Sequence, residues 1–316
     1  MTEDSETLFI NEEEAGERLD KILSTRLSGA GSRTYFQHLI DEGKVLVNGA
    51  PAKKRAKLKH GDEVEVEYIL TPELTLKPEN IPLNILYEDD AIIVVDKEPG
   101  MVVHPAAGNW SGTFVNALLY HCKQIPQANE GKSPLDALRP GIVHRLDKDT
   151  SGVIVAAKTS FAQQKLIEMF SGRQVFKEYL AICIGNPGAG DIDAPIGRHP
   201  VHRKMMAVLE EGGRHALSHY KSLSFDNKLS LVSIVIATGR THQIRVHMKY
   251  KGTPVLGDPL YGNTSLNTKM GIERQMLHAY RLRFNHPVSG VPMEFTAPIP
   301  ADMQHVLKQT KLAPKL

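Results

Sequence analysis

Three long apolar segments follow one another in this chain with no helical pattern between them: KEYLAICIG (residues 177–185), ALSHYKSLSF (216–225) and LSLVSIVIA (229–237). Parallel neighbours need a long crossover, usually a helix, whereas antiparallel neighbours do not. Consecutive strands therefore predict a mixed, mainly antiparallel sheet, and an α+β fold with flanking helices and loops rather than a doubly wound α/β fold. Around this block AIIVVDK (91–97) and GVIVAAK (152–158) read as buried strands. GTFVNALLYHC, with Phe114, Ala117, Leu118 and His121 on one side, reads as a helix, and so does SFAQQKLIEMF. THQIRVHMKYKG reads as a third helix, N-capped by Thr241, with Ile244, Met248 and Lys251 facing the core and Arg245 off it.

The amino-terminal part has another character. Leu19, Ile22, Leu23 and Leu27 lie at helical spacing, and Ser32 is placed to cap a second helix through Phe36, Leu39 and Ile40 that ends near Gly43. KVLVNGAP is a short strand running into an Asn-Gly turn, and GDEVEVEYI alternates as a half-buried strand does. Pro72, Pro78 and Pro82 then interrupt regular structure. The expected organisation is an acidic, flexible tail (1–14), a compact binding module (15–75), a proline-rich linker (76–84) and a large domain (85–310).

Thirty-eight basic against 36 acidic residues give little net charge, but the distribution is uneven. Residues 44–59 hold no acid and carry Lys44, Lys53, Lys54, Arg55, Lys57 and Lys59. Such a run is ordinarily a solvated face; packed into so short a module it also suits an anionic partner. The two cysteines, Cys122 and Cys183, form no CxxC pair, which fits a reducing, cytoplasmic setting. The first residues lack the pattern of a signal peptide, and the apolar runs are too short to span a membrane. No P-loop, GxGxxG, HExxH or GxSxG motif is present, and the 14 histidines show no metal-ligand spacing, so neither a cofactor nor a metal is expected.

Three constellations remain. In GIVHRLDKDTSGVIVAAK, Asp147 sits among turn formers, between Arg145 and Lys148, just before a strand that fixes it from the core side. In ATGRTHQIRVHMKYKG, Arg245 falls near the helix start, where a cation opposes the helix dipole by about 0.3–1 kcal/mol unless a carboxylate compensates. Asp147 is the candidate. Arg240 and Arg245 otherwise read as surface charge, and His242 and His247 as a solvated helix side. On the third, Tyr179 shares a strand face with Ala181 and Cys183; a core tyrosine and a ring-stacking phenol both fit. One carboxylate, one cation and one phenol suit chemistry at a carbon–nitrogen glycosidic bond. Glycoside hydrolysis normally asks for two carboxylates, and Asp149 is too near Asp147 in sequence to stand across a sugar from it.

These stretches resemble a known family. GIVHRLDKDTSG is similar to the HRLDxxTSG signature of the RluA-type RNA pseudouridine synthases, TGRTHQIRVH to their RTHQIR motif and KEYLA to their tyrosine motif. EDDAIIVVDKEPGMVVHPAAGN and LHAYRLRFNHPVSG resemble the opening and a late segment of the same catalytic domain, and RLDKIL through GDEVEVEY resembles an S4 RNA-binding domain. The resemblance implies isomerisation of uridine to pseudouridine in RNA, with large-subunit (23S) ribosomal RNA as the target, without metal or cofactor, in a cytoplasmic monomer. It implies Asp147 as the catalytic aspartate, Tyr179 as the active-site tyrosine and Arg245 as the partner of the aspartate. Arg145 would displace the base and Leu277 would lie beneath the nucleotide. Arg240, His242, Lys53, Lys54, Arg55 and Lys57 are the expected further RNA contacts. A non-catalytic RNA-binding or ribosome-assembly factor, and a nucleoside or glycoside hydrolase, are the alternatives.

Overall fold

The structure is a computed structural model. It describes residues 3–27, 33–53, 56–69, 76–105, 109, 111–122, 125, 139–202, 204–310 and 312. The chain divides into two compact units, with a break after Leu76.

The first unit contains β1 (Glu3–Phe9), α1 (Leu19–Arg26), α2 (Arg33–Asp41), β2 (Val45–Val47), β3 (Ala50–Pro51) and β4 (Glu63–Ile69). The strands form an antiparallel sheet in the order β1-β4-β2-β3. Leu19, Ile22, Leu23 and Leu27 pack against Phe36, Leu39 and Ile40, the faces that their spacing predicts. Asn48 and Gly49, both at positive φ (+50° and +74°), make the tight turn between β2 and β3. Ser32 lies outside the described residues. The segment 1–14, expected as a flexible tail, instead supplies β1, paired with β4 from Glu3 to Phe9. Leu8 and Ile10 are the reason: both are buried in this unit's core, an apolar pair that the acidic composition conceals. Asp20 is fully buried and receives Arg18, Arg33 and Gln37, tying α1 to α2. Burial alone would raise its pKa; those three bonds hold it well below the usual carboxylate range.

The second unit holds β5 (Asn84–Glu88), β6 (Ile92–Lys97), α3 (Phe114–His121), β7 (Ser151–Ala157), α4 (Ser160–Ser171), β8 (Phe176–Ile184) and β9 (Ala189–Asp193). A two-stranded ribbon follows, β10 (Ile196–Arg198) and β11 (Met206–Val208), and then β12 (Leu217–Phe225) and β13 (Leu229–Ile236). After these come α5 (Gln243–Tyr250), α6 (Thr264–Met270), β14 (Leu277–Asn285), β15 (Pro292–Thr296) and α7 (Ala301–Gln309). The main sheet runs β5-β6-β7-β14-β8-β13-β12-β9, with β15 added to β14. Among the described strands of this sheet only β7 and β14 pair in parallel; the other pairs are antiparallel, as the consecutive strands require.

Both sheet faces are covered, which explains strands that are apolar almost throughout. Ile93, Val95, Ile154, Tyr179, Ala181 and Ile234 face one side with Phe114 and Leu118 of α3 and Ile244 and Met248 of α5. Ile92, Val94, Val153 and Val155 face the other, under Ala162 and Leu166 of α4. Further along that side Leu180 and Ile182 meet Met303, Val306 and Leu307 of α7. Each buried Val, Leu, Ile, Phe or Met among them contributes about 1.5–3 kcal/mol. The proline-rich stretch beyond Lys77 belongs to this unit: Asn116 Nδ2 of α3 donates to the Lys77 carbonyl (2.9 Å), and the Glu79 amide donates to that of Asn116 (3.0 Å).

The parallel contact between β7 and β14 depends on a glycine. Gly152 has φ +112°, and a Cβ there would lie 2.2 Å from the Ala279 carbonyl oxygen. The bare backbone lets the two strands close, bringing the segment just after Asp147 beside the start of β14, where Leu277 stands.

Candidate active site

Asp147 lies in the loop that enters β7, and its backbone is held at three points. Its own carbonyl accepts from the Thr150 amide (3.1 Å). The Lys148 carbonyl accepts from Lys97 Nζ (3.1 Å) and the Gly100 amide (2.9 Å), and that of Asp149 from Arg274 Nη1 (3.0 Å). Lys97 is 1% exposed and also donates to the carbonyls of Glu98 and Met101. Burial pushes its pKa down to about 8. Arg274 is anchored in turn by the Asp302 carboxylate.

Arg245, in the first turn of α5, donates from Nη1 to Asp147 Oδ2 at 3.0 Å. Its Nε and Nη2 form a bidentate pair with Asp258 Oδ2 (2.7 Å) and Oδ1 (3.0 Å). The side chains of Arg245, Asp258 and Asp147 are 5%, 0% and 19% exposed, so only Asp147 presents a carboxylate to solvent. Burial would lower the Arg245 pKa, but the two carboxylates outweigh it and hold the guanidinium above its ordinary value. The Tyr261 ring covers the guanidinium, 5.2 Å from the ring centre.

This corrects the placement of Arg245 off the core. A buried guanidinium is tolerated here because two acids and an aromatic ring surround it. The helix also starts otherwise than expected: its N-cap is His242, at φ +56°, and not Thr241. Gln243 organises the turn, with Oε1 accepting from Thr238 Oγ1 and the Arg240 amide, and Nε2 donating to the Leu217 carbonyl and Ser218 Oγ. His247 is not on a solvated side; it is fully buried, bonded to Ser218 Oγ and the Ala194 carbonyl. Lys251, expected to face the core, is exposed.

Tyr179 stands on β8 opposite Ile234 and Ala279 and is 8% exposed. Burial first, and the charge of Asp147 second, push its phenol pKa up, so it stays protonated at neutral pH. The cleft in front of it is open to solvent. Tyr179, Leu277 and Ile236 supply apolar lining, Asp147 and Arg245 the ion pair, and Arg145, Arg240 and His242 further polar groups. Arg145 is exposed and has no bonded partner among the described residues, whereas Arg240 Nε donates to the His215 carbonyl (3.0 Å).

Seven of the residues singled out from sequence thus meet in one cleft: Asp147, Tyr179, Arg245, Arg145, Arg240, His242 and Leu277. Lys53 and Lys57 are exposed in the first unit, and Lys54 and Arg55 lie outside the described residues. Sequence reasoning missed Asp258, Tyr261, Lys97 and Arg274. Asp258 lies in GDPLYG, where Gly257 at φ +77° leaves no room for a side chain beside the Arg274 carbonyl oxygen. The one available signal was that a cation buried at a helix start calls for compensating carboxylates. Away from the cleft, ligand atoms of Glu88, His121 and Cys122 lie within 4.8 Å of one another. Lys158 Nζ already bonds Glu88 Oε1 at 2.7 Å and supplies the positive charge there. No helix among the described residues is long and apolar enough to cross a membrane.

The RNA pseudouridylate synthase family matches residues 91–250, and the S4 domain matches residues 17–64. A ribosomal large subunit pseudouridine synthase D from Xanthomonas campestris is 43% identical over 304 residues, 93% of this chain and 88% of that protein. A protein of the same name from Neisseria meningitidis is 43% identical over 98% of this chain and 83% of its own length. Among solved structures, human RNA pseudouridylate synthase domain containing 4 superposes with a TM-score of 0.55 at 26% identity, over 73% of this chain and 94% of that one. With an S4 domain in its first unit and the Asp147–Arg245 cleft in its second, the chain belongs to the RNA pseudouridylate synthase family.

Proposed function

We propose that this cleft converts uridine to pseudouridine in large-subunit ribosomal RNA, with Asp147 as the reacting carboxylate. One observation carries the reading: Arg245 is anchored on a fully buried acid, Asp258, and offers its remaining edge to a single cleft-facing acid. A carboxylate held in this way stands at a fixed position beside an apolar floor, within reach of the glycosidic carbon or the uracil ring of a bound nucleotide. The reaction is an isomerisation: the N1–C1′ bond breaks, a C5–C1′ bond forms, the C5 hydrogen leaves and N1 gains a proton. Atoms and charge balance without a cofactor.

The remaining residues have complementary roles in this reading. A uridine leaves its stack at a cost of a few kcal/mol, least where the RNA is unpaired. Arg145, exposed and without a bonded partner among the described residues, fills the vacated stack. Tyr179 and Leu277 hold the extruded ring from the apolar side, as aromatic groups do with unstacked bases. Arg240 and His242 meet the backbone or the base edge, and Lys53, Lys54, Arg55 and Lys57 attract phosphates to the S4 domain. The ribosomal target follows the names of the relatives and implies a cytoplasmic location. A hydrolase is disfavoured because, among the described lining residues, Asp147 is the only acid.

The test is pseudouridine mapping across ribosomal RNA from cells with wild-type protein, with Asp147→Asn and with none. Specific large-subunit sites should appear with wild type only, while the purified Asp147→Asn protein still binds the RNA. Sites that persist with Asp147→Asn would remove the carboxylate from the mechanism. An unchanged map in all three strains would favour a binding factor, and release of free uracil a hydrolase.

A further inference from the structure

Tyr261 is 3% exposed, and its hydroxyl meets two groups. The Met206 amide of β11 donates to it at 2.7 Å, and His242 Nδ1 lies 2.9 Å away. Having accepted from Met206, the hydroxyl still carries one proton, and a buried hydroxyl seeks an acceptor for it. His242 Nδ1 is the acceptor within reach among the described residues. The bonds therefore run in one direction, from the Met206 amide to the Tyr261 oxygen and from the Tyr261 proton to His242 Nδ1. A neutral imidazole that accepts at Nδ1 carries its hydrogen on Nε2. Burial lowers the His242 pKa, which favours that neutral ring. His242 lines the cleft, and its second nitrogen has no protein partner among the described residues.

The backbone points the same way. Among the described residues, four that are not glycine adopt positive φ: Asn48, Arg173, Asn227 and His242. Of these only His242 lines the cleft. A left-handed residue at a helix N-cap costs conformational energy, and such strain persists where the surroundings enforce it. Here Gln243 fixes the turn on one side and the Tyr261 hydroxyl holds the ring on the other.

We propose that His242 recognises the target nucleotide by donating Nε2–H to one of its oxygens, and that Tyr261 is the positioning residue that fixes this tautomer and couples it to the β10–β11 ribbon. The inference deepens the pseudouridine synthase reading and rests on it for the identity of the ligand. Tyr261 also connects the donor to the ion pair, since its ring covers Arg245 and its amide donates to Asp258 Oδ1 (3.0 Å). The ribbon, whose connecting residues include His199, His202 and Lys204, thereby becomes a part of the RNA-binding surface that is bonded directly to the cleft.

The first test needs no variant enzyme activity. Long-range 15N–1H spectra of histidine-labelled wild-type protein, assigned by the signal missing in His242→Gln, should show His242 neutral with its hydrogen on Nε2. A hydrogen on Nδ1, or a cationic ring at neutral pH, overturns the proposal, whatever reaction the cleft performs. The second test is a double-variant cycle read by single-turnover pseudouridine formation. Tyr261→Phe keeps the ring over Arg245 and should slow the reaction about tenfold, the size of one lost hydrogen bond. His242→Gln places an amide donor near the position of Nε2 and should retain most of the rate, and adding Tyr261→Phe to it should cost little more. Additive losses, or an undiminished rate in Tyr261→Phe, overturn the coupling. Finally, His242→Ala should weaken RNA binding or turnover about tenfold on the natural target. If that penalty vanishes on RNA with a methylphosphonate at the target nucleotide, the acceptor is the phosphate oxygen; if it persists, the acceptor belongs to the uridine. No penalty on either RNA overturns the contact.

Discussion

Arg245 divides its guanidinium unequally: Nε and Nη2 are committed to Asp258, and Nη1 alone reaches Asp147. The buried acid therefore sets where the guanidinium sits, and the half-buried acid of the cleft meets a fixed cation.

Replacing Asp258 should be worse for the enzyme than its distance from the cleft suggests. Asp258→Asn leaves Arg245 buried with half its compensation, and breaking such a pair typically costs about 3–5 kcal/mol. Urea unfolding should show that loss. In the protein that remains folded, single-turnover rates should fall about a hundredfold while RNA affinity stays near wild type. Unchanged rates would show that Asp147 needs no fixed partner.

Tyr179 offers a separation of two roles. Tyr179→Phe keeps the ring and removes a hydroxyl that burial keeps protonated. It should therefore preserve affinity for the flipped nucleotide while lowering the rate of the chemical step. Tyr179→Leu also removes the stacking surface and should lose a further 1–3 kcal/mol or so of binding, measurable as a KM increase. Equal kinetics in the two variants would assign the residue to the core alone.

Gly152→Ala tests the closure of β7 on β14. The added carbon would lie 2.2 Å from the Ala279 carbonyl oxygen at φ +112°, so strand and loop must part. A loss of about 3 kcal/mol or more is expected in denaturant unfolding, with activity falling alongside because the Asp147 loop and Leu277 flank this contact.

Stability should decline as the solution is acidified from neutrality. Burial pushes both His104 and His278 down to about 4 from the ordinary 6.5. Between those values the unfolded chain binds protons that the folded chain refuses, so unfolding free energy rises with pH and is lost as pH falls through the window. Each ring contributes a slope of up to about 1.4 kcal/mol per pH unit. Urea titrations at pH 7 and 5 measure it, and His104→Leu should flatten the slope by one ring's share.

Much of this architecture was legible in the sequence because it is local. Alternation along residues 177–185 put Tyr179 on the face it occupies, and the unfavourable position of Arg245 at a helix start called for the acid it meets. What stayed hidden is non-local. Asp258 reaches Arg245 from a loop beyond the helix, and nothing in its own surroundings marks it as fully buried. Lys97 and Arg274 bond to main-chain oxygens, which every residue possesses, so no residue pattern records them. The first strand was obscured because its buried Leu8, and Ile10 just beyond its end, stand in an acidic stretch.

The clamp on the loop after Asp147 has an evolutionary consequence. Lys97 and Arg274 grip the carbonyls of Lys148 and Asp149, so the identities of those two side chains do not determine where the neighbouring carboxylate stands. Lys148 is exposed, so a change of its side chain alters the surface charge beside the cleft while the main-chain clamp stays in place. Surface charge and carboxylate position are thereby separable traits, free to drift independently among the descendants of a common ancestor.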